Sequence, residues 1–280
     1  MEVKFDHVSL IINEGTPLEK TILNDVSFEI KNPGIYVFLG ASNSGKTAVG
    51  DLINALMAPT KGSVKVGKFI NDGRRIRNVN KLRFETGYVF RNPYDMFFNK
   101  TVKEEIEFSI KYFKYKMDKM AIRTSDALKL VGLDDSYLKL NPKILTLVDA
   151  KKVALACALV CNPSIIILDE FTNGLNNKDK SELLRLLRML KNKYKKTIIL
   201  LSKDTNFCYQ IVDQVYIMNL TKLVASGKKE LLEDSDFISR IGLEVPLIVK
   251  FVDECRSKGH EINYYSNILD LLKGVYRDVF

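Results

Sequence analysis

Histidine is scarce in this chain: His7 and His260 are the two in 280 residues, which argues against a histidine-based metal centre. The four cysteines (Cys157, Cys161, Cys208 and Cys255) show no C-x-x-C spacing. Cys157 and Cys161 are four apart in an apolar helical stretch, Val153 to Val160, and read as buried core thiols. No apolar run approaches the ~18 residues of a membrane span, and the segment Met1 to Asp6 lacks the shape of a signal peptide. The chain is therefore expected to stay in the cytosol, a reading compatible with lying against a membrane. Repeats and low-complexity tracts are also missing.

What is present is ordinary for a folded domain: 46% hydrophobic and 28% charged residues, enough for one large domain or one domain with a small appendage. The net charge of +9 comes from 43 Lys and Arg against 34 Asp and Glu. Its denser patches, Lys111 to Lys119 and Lys191 to Lys196, read as solvated helix faces. An anionic membrane surface or a nucleic acid remains open as a partner on charge alone.

The informative stretch is 34–47. Ile35 to Leu39 is a short apolar, partly β-branched run and reads as a buried strand. It leads into Gly40, Ala41, Ser42, Asn43, Ser44, Gly45, Lys46 and Thr47, which fit the G-x-x-x-x-G-K-[ST] phosphate-loop pattern. Ala48 to Met57 reads as the helix that must follow. Glycines allow backbone N–H groups to form a concave anion site, and the helix dipole adds positive potential. Lys46 supplies a charge for the outer phosphates, and the Thr47 hydroxyl is suited to Mg²⁺. A second constellation closes the apolar run Ile165 to Leu168: Asp169 and Glu170. Carboxylates at the C-terminal end of a buried strand sit where ligands bind in such sheets. Asp169 is placed to hold Mg²⁺ and Glu170 to orient or deprotonate a water. Such a pair after a strand is also a common helix N-cap, but its place 123 residues after Lys46, with a helical block between, favours the functional reading.

Around these motifs the pattern predicts strands over 2–12, 24–30, 61–67, 86–90, 164–168 and 197–201. Helices are predicted over roughly 101–131 and 179–194. Strands alternating with helices argue for an α/β fold with a parallel sheet covered on both faces. The helical block interrupts that alternation and reads as an inserted subdomain, near 92–158. The last stretch, 246–280, holds two helical patterns and reads as a small appended unit on a main domain of 1–245.

Together these motifs resemble the ABC-type ATPases, which are P-loop NTPases, and more narrowly the ATPases of energy-coupling-factor (ECF) transporters, which take up vitamins and metal ions. The segment Gly15 to Glu19, the run Val89 to Pro93 followed by Thr101 and Val102, the pair Asn162 and Pro163, and the tail from Leu243 to Gly259 carry the likeness. The resemblance implies ATP and Mg²⁺ as ligands, and a C-terminal region used for dimerisation. It also implies a position on the cytoplasmic face of the cell membrane, with a paralogous ATPase, a transmembrane coupling subunit and a substrate-binding membrane subunit as partners. It implies that Tyr94, Phe97 and Phe98 either line the groove that docks the membrane partner or pack locally. A role on nucleic acid is not expected, because neither a second cassette nor a coiled-coil insert is visible.

Departures from the family pattern are concentrated. The signature Leu-Ser-Gly-Gly-Gln is replaced by Leu145, Thr146, Leu147, Val148 and Asp149. Arg91 stands at the Q-loop glutamine, Lys203 at the switch histidine, Asn176 at the D-loop aspartate, and Ile12 (or Leu10) where an aromatic is expected against adenine. Asn43 replaces a loop glycine and is the mildest change, since Asn tolerates left-handed backbone. Lys203, with an ordinary pKa near 10.4, is a poor proton relay at neutral pH. This one-sided damage implies the degenerate half of a heterodimer. A nucleotide-binding scaffold that does not hydrolyse is the alternative.

Overall fold

The computed structural model describes residues 1–74, 76 and 78–279; Phe280, the end of the expected C-terminal unit, lies outside the described residues. In chain order the strands are β1 (Val3–Ile12), β2 (Lys20–Ile30), β3 (Ile35–Leu39), β4 (Lys61–Val66), β5 (Phe69–Asn71), β6 (Thr86–Val89), β7 (Ile165–Asp169), β8 (Thr197–Ser202), β9 (Gln214–Asn219) and β10 (Lys222–Gly227). The helices are α1 (Lys46–Ile53), α2 (Val79–Glu85), α3 (Val102–Phe113), α4 (Met120–Leu130), α5 (Leu147–Leu159), α6 (Asn177–Asn192), α7 (Thr205–Tyr209), α8 (Ser235–Arg240), α9 (Leu247–Ser257) and α10 (Ile268–Val279).

Two sheets form. One is antiparallel, in the order β2-β1-β4-β5; the other runs β10-β9-β3-β8-β7-β6 and is parallel from β9 to β6. The parallel strands are predominantly apolar and buried along their length because both faces are covered. Val37, Ile166, Ile198 and Val215 point toward the helical side. Phe38, Ile167, Ile199 and Tyr216 point toward α1 and the antiparallel sheet. Phe38 is the pin of that second layer, stacked on Tyr216 with ring centroids 4.7 Å apart and edge-on to Phe28 at 4.9 Å.

Helix boundaries follow local chemistry. Thr101 and Glu104 form a reciprocal capping box at the start of α3, which satisfies amides that would otherwise be orphaned. The expected single helical block over 101–131 is two helices. Lys114 and Lys116 adopt left-handed backbone, at φ 53° and 41°, and turn the chain between α3 and α4. The helix expected to reach Met57 stops at Ile53; Ala55 takes φ 53°, and Asn54 donates instead to the Thr86 carbonyl and hydroxyl at 2.8 Å. Cys157 is half-buried and Cys161 buried, and all four cysteines are free thiols. Lys196 is not on a solvated face: it is buried, with Nζ donating to Asn162 O at 3.0 Å.

The C-terminal helices are bonded to α7. Thr205 Oγ1 donates to Glu244 O at 2.6 Å, and Asn206 Oδ1 accepts from the Leu247 amide at 2.7 Å at the start of α9. Replacing Phe38 by alanine is expected to cost about 3–5 kcal/mol, the usual range for a buried phenylalanine. Urea denaturation of the two proteins measures it.

Candidate functional site

Strand order makes the site. β8 lies between β3 and β7 with all three parallel, so the loop after β3, the carboxylates ending β7 and Lys203 after β8 emerge along one edge. Gly40 is required sterically: a Cβ there would lie 2.3 Å from Met218 O and 2.5 Å from Ser44 Oγ. Gly45 has φ +99°, and a Cβ would meet Ile22 O at 2.7 Å. Asn43 sits at φ 63°, the left-handed conformation its residue type tolerates. Ser42 is exposed and Ala41 half-exposed, whereas Ser44 and Lys46 are buried. The N-terminus of α1 has no side-chain cap, so its first amides remain available to an anion.

Lys46 Nζ donates to Gly40 O at 2.7 Å, Ala41 O at 2.9 Å and Ser44 Oγ at 3.3 Å, and lies 3.8 Å from Glu170 Oε1. Desolvation lowers its pKa; the Glu170 and Asp169 charges work against that shift, and Arg91 and Lys203 add to it. Thr47 Oγ1 donates to Asp169 Oδ2 at 2.7 Å. Burial raises the Asp169 carboxyl to about 6, opposed by the Thr47 bond. Asp169 Oδ1 and Glu170 Oε2 are buried without a hydrogen-bond partner, and Glu170 is held at φ 43°. A hydroxyl beside a carboxylate with a free lone pair is a hard oxygen pair of the kind that suits Mg²⁺. Among the described residues no cluster of three His, Cys, Asp or Glu could hold a metal ion unaided.

An open cleft of about 440 Å³ brings Arg91 beside Thr47 and Asp169, together with Asp51, Tyr88 and Asp95. Lys203 is exposed, and its charge acts on Lys46. Ile12 is half-buried at the end of β1, paired with Lys20. Sequence reading missed Asp51, whose signal was its spacing of one helical turn from Thr47. It also missed Lys151, a lysine inside an apolar helical stretch.

The signature segment is tied to itself. Thr146 Oγ1 accepts from the Asp149 amide at 3.2 Å and donates to Asp149 Oδ2 at 2.9 Å. Ile144 and Leu147 are exposed at 78% and 41%, so an apolar, acidic surface stands where glycines are expected. Asn176 caps α6 by accepting from the Asp179 amide at 2.9 Å. Of the three aromatics near Arg91, only Phe98 is presented to solvent: Phe97 is buried and Tyr94 OH donates to Leu145 O at 2.7 Å.

Residues 23–173 match the family model described as ABC transporter. The chain is 32% identical to the energy-coupling factor transporter ATP-binding protein EcfA2 of Streptococcus agalactiae, over 92% of this chain and 93% of that protein. It is 30% identical to the EcfA2 protein of Caldanaerobacter subterraneus subsp. tengcongensis, over 92% and 91%. A dimeric ATP-binding cassette bound to ADP and Pi shares the fold, with a TM-score of 0.75 at 24% identity over 81% of this chain and 98% of that one. So does cbiO1 from Clostridium perfringens, part of the ABC transporter complex cbiONQ, with a TM-score of 0.71 at 24% identity over 90% and 98%.

Asp169 gives a pH test. A carboxyl whose folded pKa is raised favours folding below the unfolded value near 3.8 and loses that advantage as pH rises through about 6. Asp169→Asn keeps an acceptor for Thr47 and carries no charge. The nucleotide-free variant is expected to be more stable than the parent by about 1–3 kcal/mol at pH 8, the gap closing toward pH 4. Chemical denaturation at the two pH values measures it.

Proposed function

This chain belongs to the ABC transporter family, and from that membership we propose that it is the ATP-binding subunit of an ECF-type importer. In this reading it couples ATP binding and hydrolysis to uptake of a vitamin or metal ion. The observation that carries the proposal is the convergence of Lys46, Thr47, Asp169 and Glu170 on one sheet edge, with two carboxylate oxygens left free of partners. Loop amides from Ala41 to Thr47 hold the β- and γ-phosphates, and Lys46 turns from its loop carbonyls toward them. Thr47 and Asp169 hold Mg²⁺, which when bound supplies charge neutralisation for the phosphates. Glu170 orients the attacking water and takes its proton. Ile12 lies against the adenine. Arg91 and Lys203 bring positive charge to the γ-phosphate, where the family uses a glutamine and a histidine.

The other half of the composite site comes from a paralogous ATPase. The Asp149 carboxylate and the apolar Leu147 and Ile144 make this chain's signature a poor phosphate contact, so two copies of this chain would make an ineffective pair. A heterodimer, peripheral to the cytoplasmic face of the membrane, follows. None of the helices among the described residues is long and apolar enough to cross a membrane. A transmembrane coupling subunit and a substrate-binding membrane subunit complete the assembly, and no nucleic acid is involved. The C-terminal unit of 246–280, which exposes Leu269 at 71%, contributes to dimerisation. A non-hydrolysing scaffold is the second reading; it is favoured by Arg91 and Lys203, which stand at this chain's own site where the family uses a glutamine and a histidine.

Glu170→Gln decides between them. In the co-expressed complex it is expected to lower ATP turnover by about 10²–10³-fold, the scale of a lost general base. Unchanged turnover means that the nucleotide here is structural. Phe98 stacks edge-on with Phe108 at 4.5 Å, and Phe108 lies on Tyr112 at 5.7 Å, all exposed. Replacing Phe98 and Phe108 by alanine is expected to reduce co-purification of the membrane subunits by about tenfold while leaving ATP affinity of the isolated chain intact.

A further inference from the structure

Lys151 is the most deeply buried cation of the described residues, 1% exposed, in the second turn of α5. Its ammonium has three donors and meets three backbone carbonyls: Glu170 O at 3.1 Å, Phe171 O at 2.9 Å and Asn173 O at 2.6 Å. It also lies 5.6 Å from the centroid of the Phe171 ring. Among the described residues no carboxylate forms an ion pair with it. The segment it holds is the turn that leaves β7, and that turn begins with Glu170.

Glu170 is gripped from both sides. Its amide donates to Leu201 O on β8 at 2.8 Å, and its carbonyl accepts from both Lys151 and the Asn173 amide, the latter at 3.2 Å. Its φ of 43° is a strained value for a non-glycine residue, of the sort that persists only where the surroundings fix it. The carbonyls of residues 170, 171 and 173 point toward one place, an arrangement that repels itself unless a cation sits at the focus. An ammonium supplies that focus. Its charge also interacts with the Glu170 carboxylate, which lies 3.8 Å from Lys46 Nζ.

Resting on the reading of Glu170 given above, we infer that Lys151 is a positioning residue: it sets the backbone turn that aims the Glu170 carboxylate and ties that turn to the signature helix. Lys151 is five residues after Thr146, about 7 Å along the helix axis at ~1.5 Å per residue. The cap formed by Thr146 and Asp149 and the clamp on Glu170 therefore belong to one rigid element. A displacement of the α5 N-terminus, the end that faces the partner ATPase, moves the ammonium and with it the three carbonyls. The partner's nucleotide is in this way linked to the carboxylate at this chain's own phosphate loop, within a single subunit.

Lys151→Met keeps the apolar stem and removes the cation. In the co-expressed complex the variant is expected to lower turnover at saturating ATP at least tenfold, with ATP affinity changed less than about threefold. In the nucleotide-free chain the amides of Asn173 and Leu175, which bond within the held turn, are expected to exchange at least about tenfold faster, those of β8 staying unchanged. Turnover within about twofold of the parent, an equal loss in affinity and turnover, or unaltered exchange at 173 and 175 each overturns the inference. Glu170→Gln is run alongside. If it leaves turnover intact, the role of Glu170 has failed, and the exchange measurement alone still tests the clamp. Should Lys151→Met not fold, Lys151→Arg takes its place: the retained cation is expected to keep turnover within about fivefold of the parent, and a fall to the Glu170→Gln level overturns the inference.

Discussion

One hydrogen bond, 2.7 Å from Thr47 Oγ1 to Asp169 Oδ2, joins residues 122 apart in the chain, and it exists only because β8 separates β3 from β7 by a single strand width. The insertion of β8 is itself a packing result. Ile198 and Leu200 complete the helical-side core while Ile199 and Leu201 complete the opposite layer, so the strand is stable only in the middle of the sheet. The charges of the site are carried at the end of that apolar wall. Asp169, Glu170 and Lys46 are all nearly buried, where an isolated ion is costly and a mutual arrangement offsets the cost. The hydrophobic order of the strands thus precedes the electrostatics and sets their strength.

Much of this was legible from residue pattern. Ile35 to Leu39, Ile165 to Leu168 and Ile198 to Leu201 are continuous apolar runs because both faces of the sheet are covered, and such runs stand out. Phe69–Asn71 and Thr205–Tyr209 were missed; they are too short to show a period. Gln214–Asn219 and Lys222–Gly227 also went unread, and their hairpin turns through Leu220 and Thr221 with φ 44° and 69° and no glycine to mark it. The break between α3 and α4 was hidden for the same reason, since lysines rather than glycine occupy its left-handed positions. At the site, the loop and the two carboxylates were readable as motifs, whereas Asp51 and Lys151 belong to no motif and are brought to it by the fold.

The two halves of the chain differ in how their lone pairs and donors are committed. On the phosphate side, Asp169 Oδ1 and Glu170 Oε2 are held in reserve within a buried frame. On the signature side, the Thr146 hydroxyl is used twice on Asp149, leaving side chains of aliphatic and acidic character outward. Lys151 spans the two, so the halves are unequal in chemistry yet mechanically continuous.

Gly40 has a carbonyl 2.3 Å and a hydroxyl 2.5 Å from where any side chain would begin. At that position mutation is judged first by folding and only afterwards by function, because no larger residue fits beneath Met218. Ile144 and Leu147 stand under the opposite regime: they face solvent, and their exchange disturbs little of the core. Sequence drift at these two positions therefore carries little stability penalty, while drift at Gly40 is blocked by the architecture. A subunit of this design is free to lose its share of a neighbour's reaction long before it loses the shape that holds its own nucleotide.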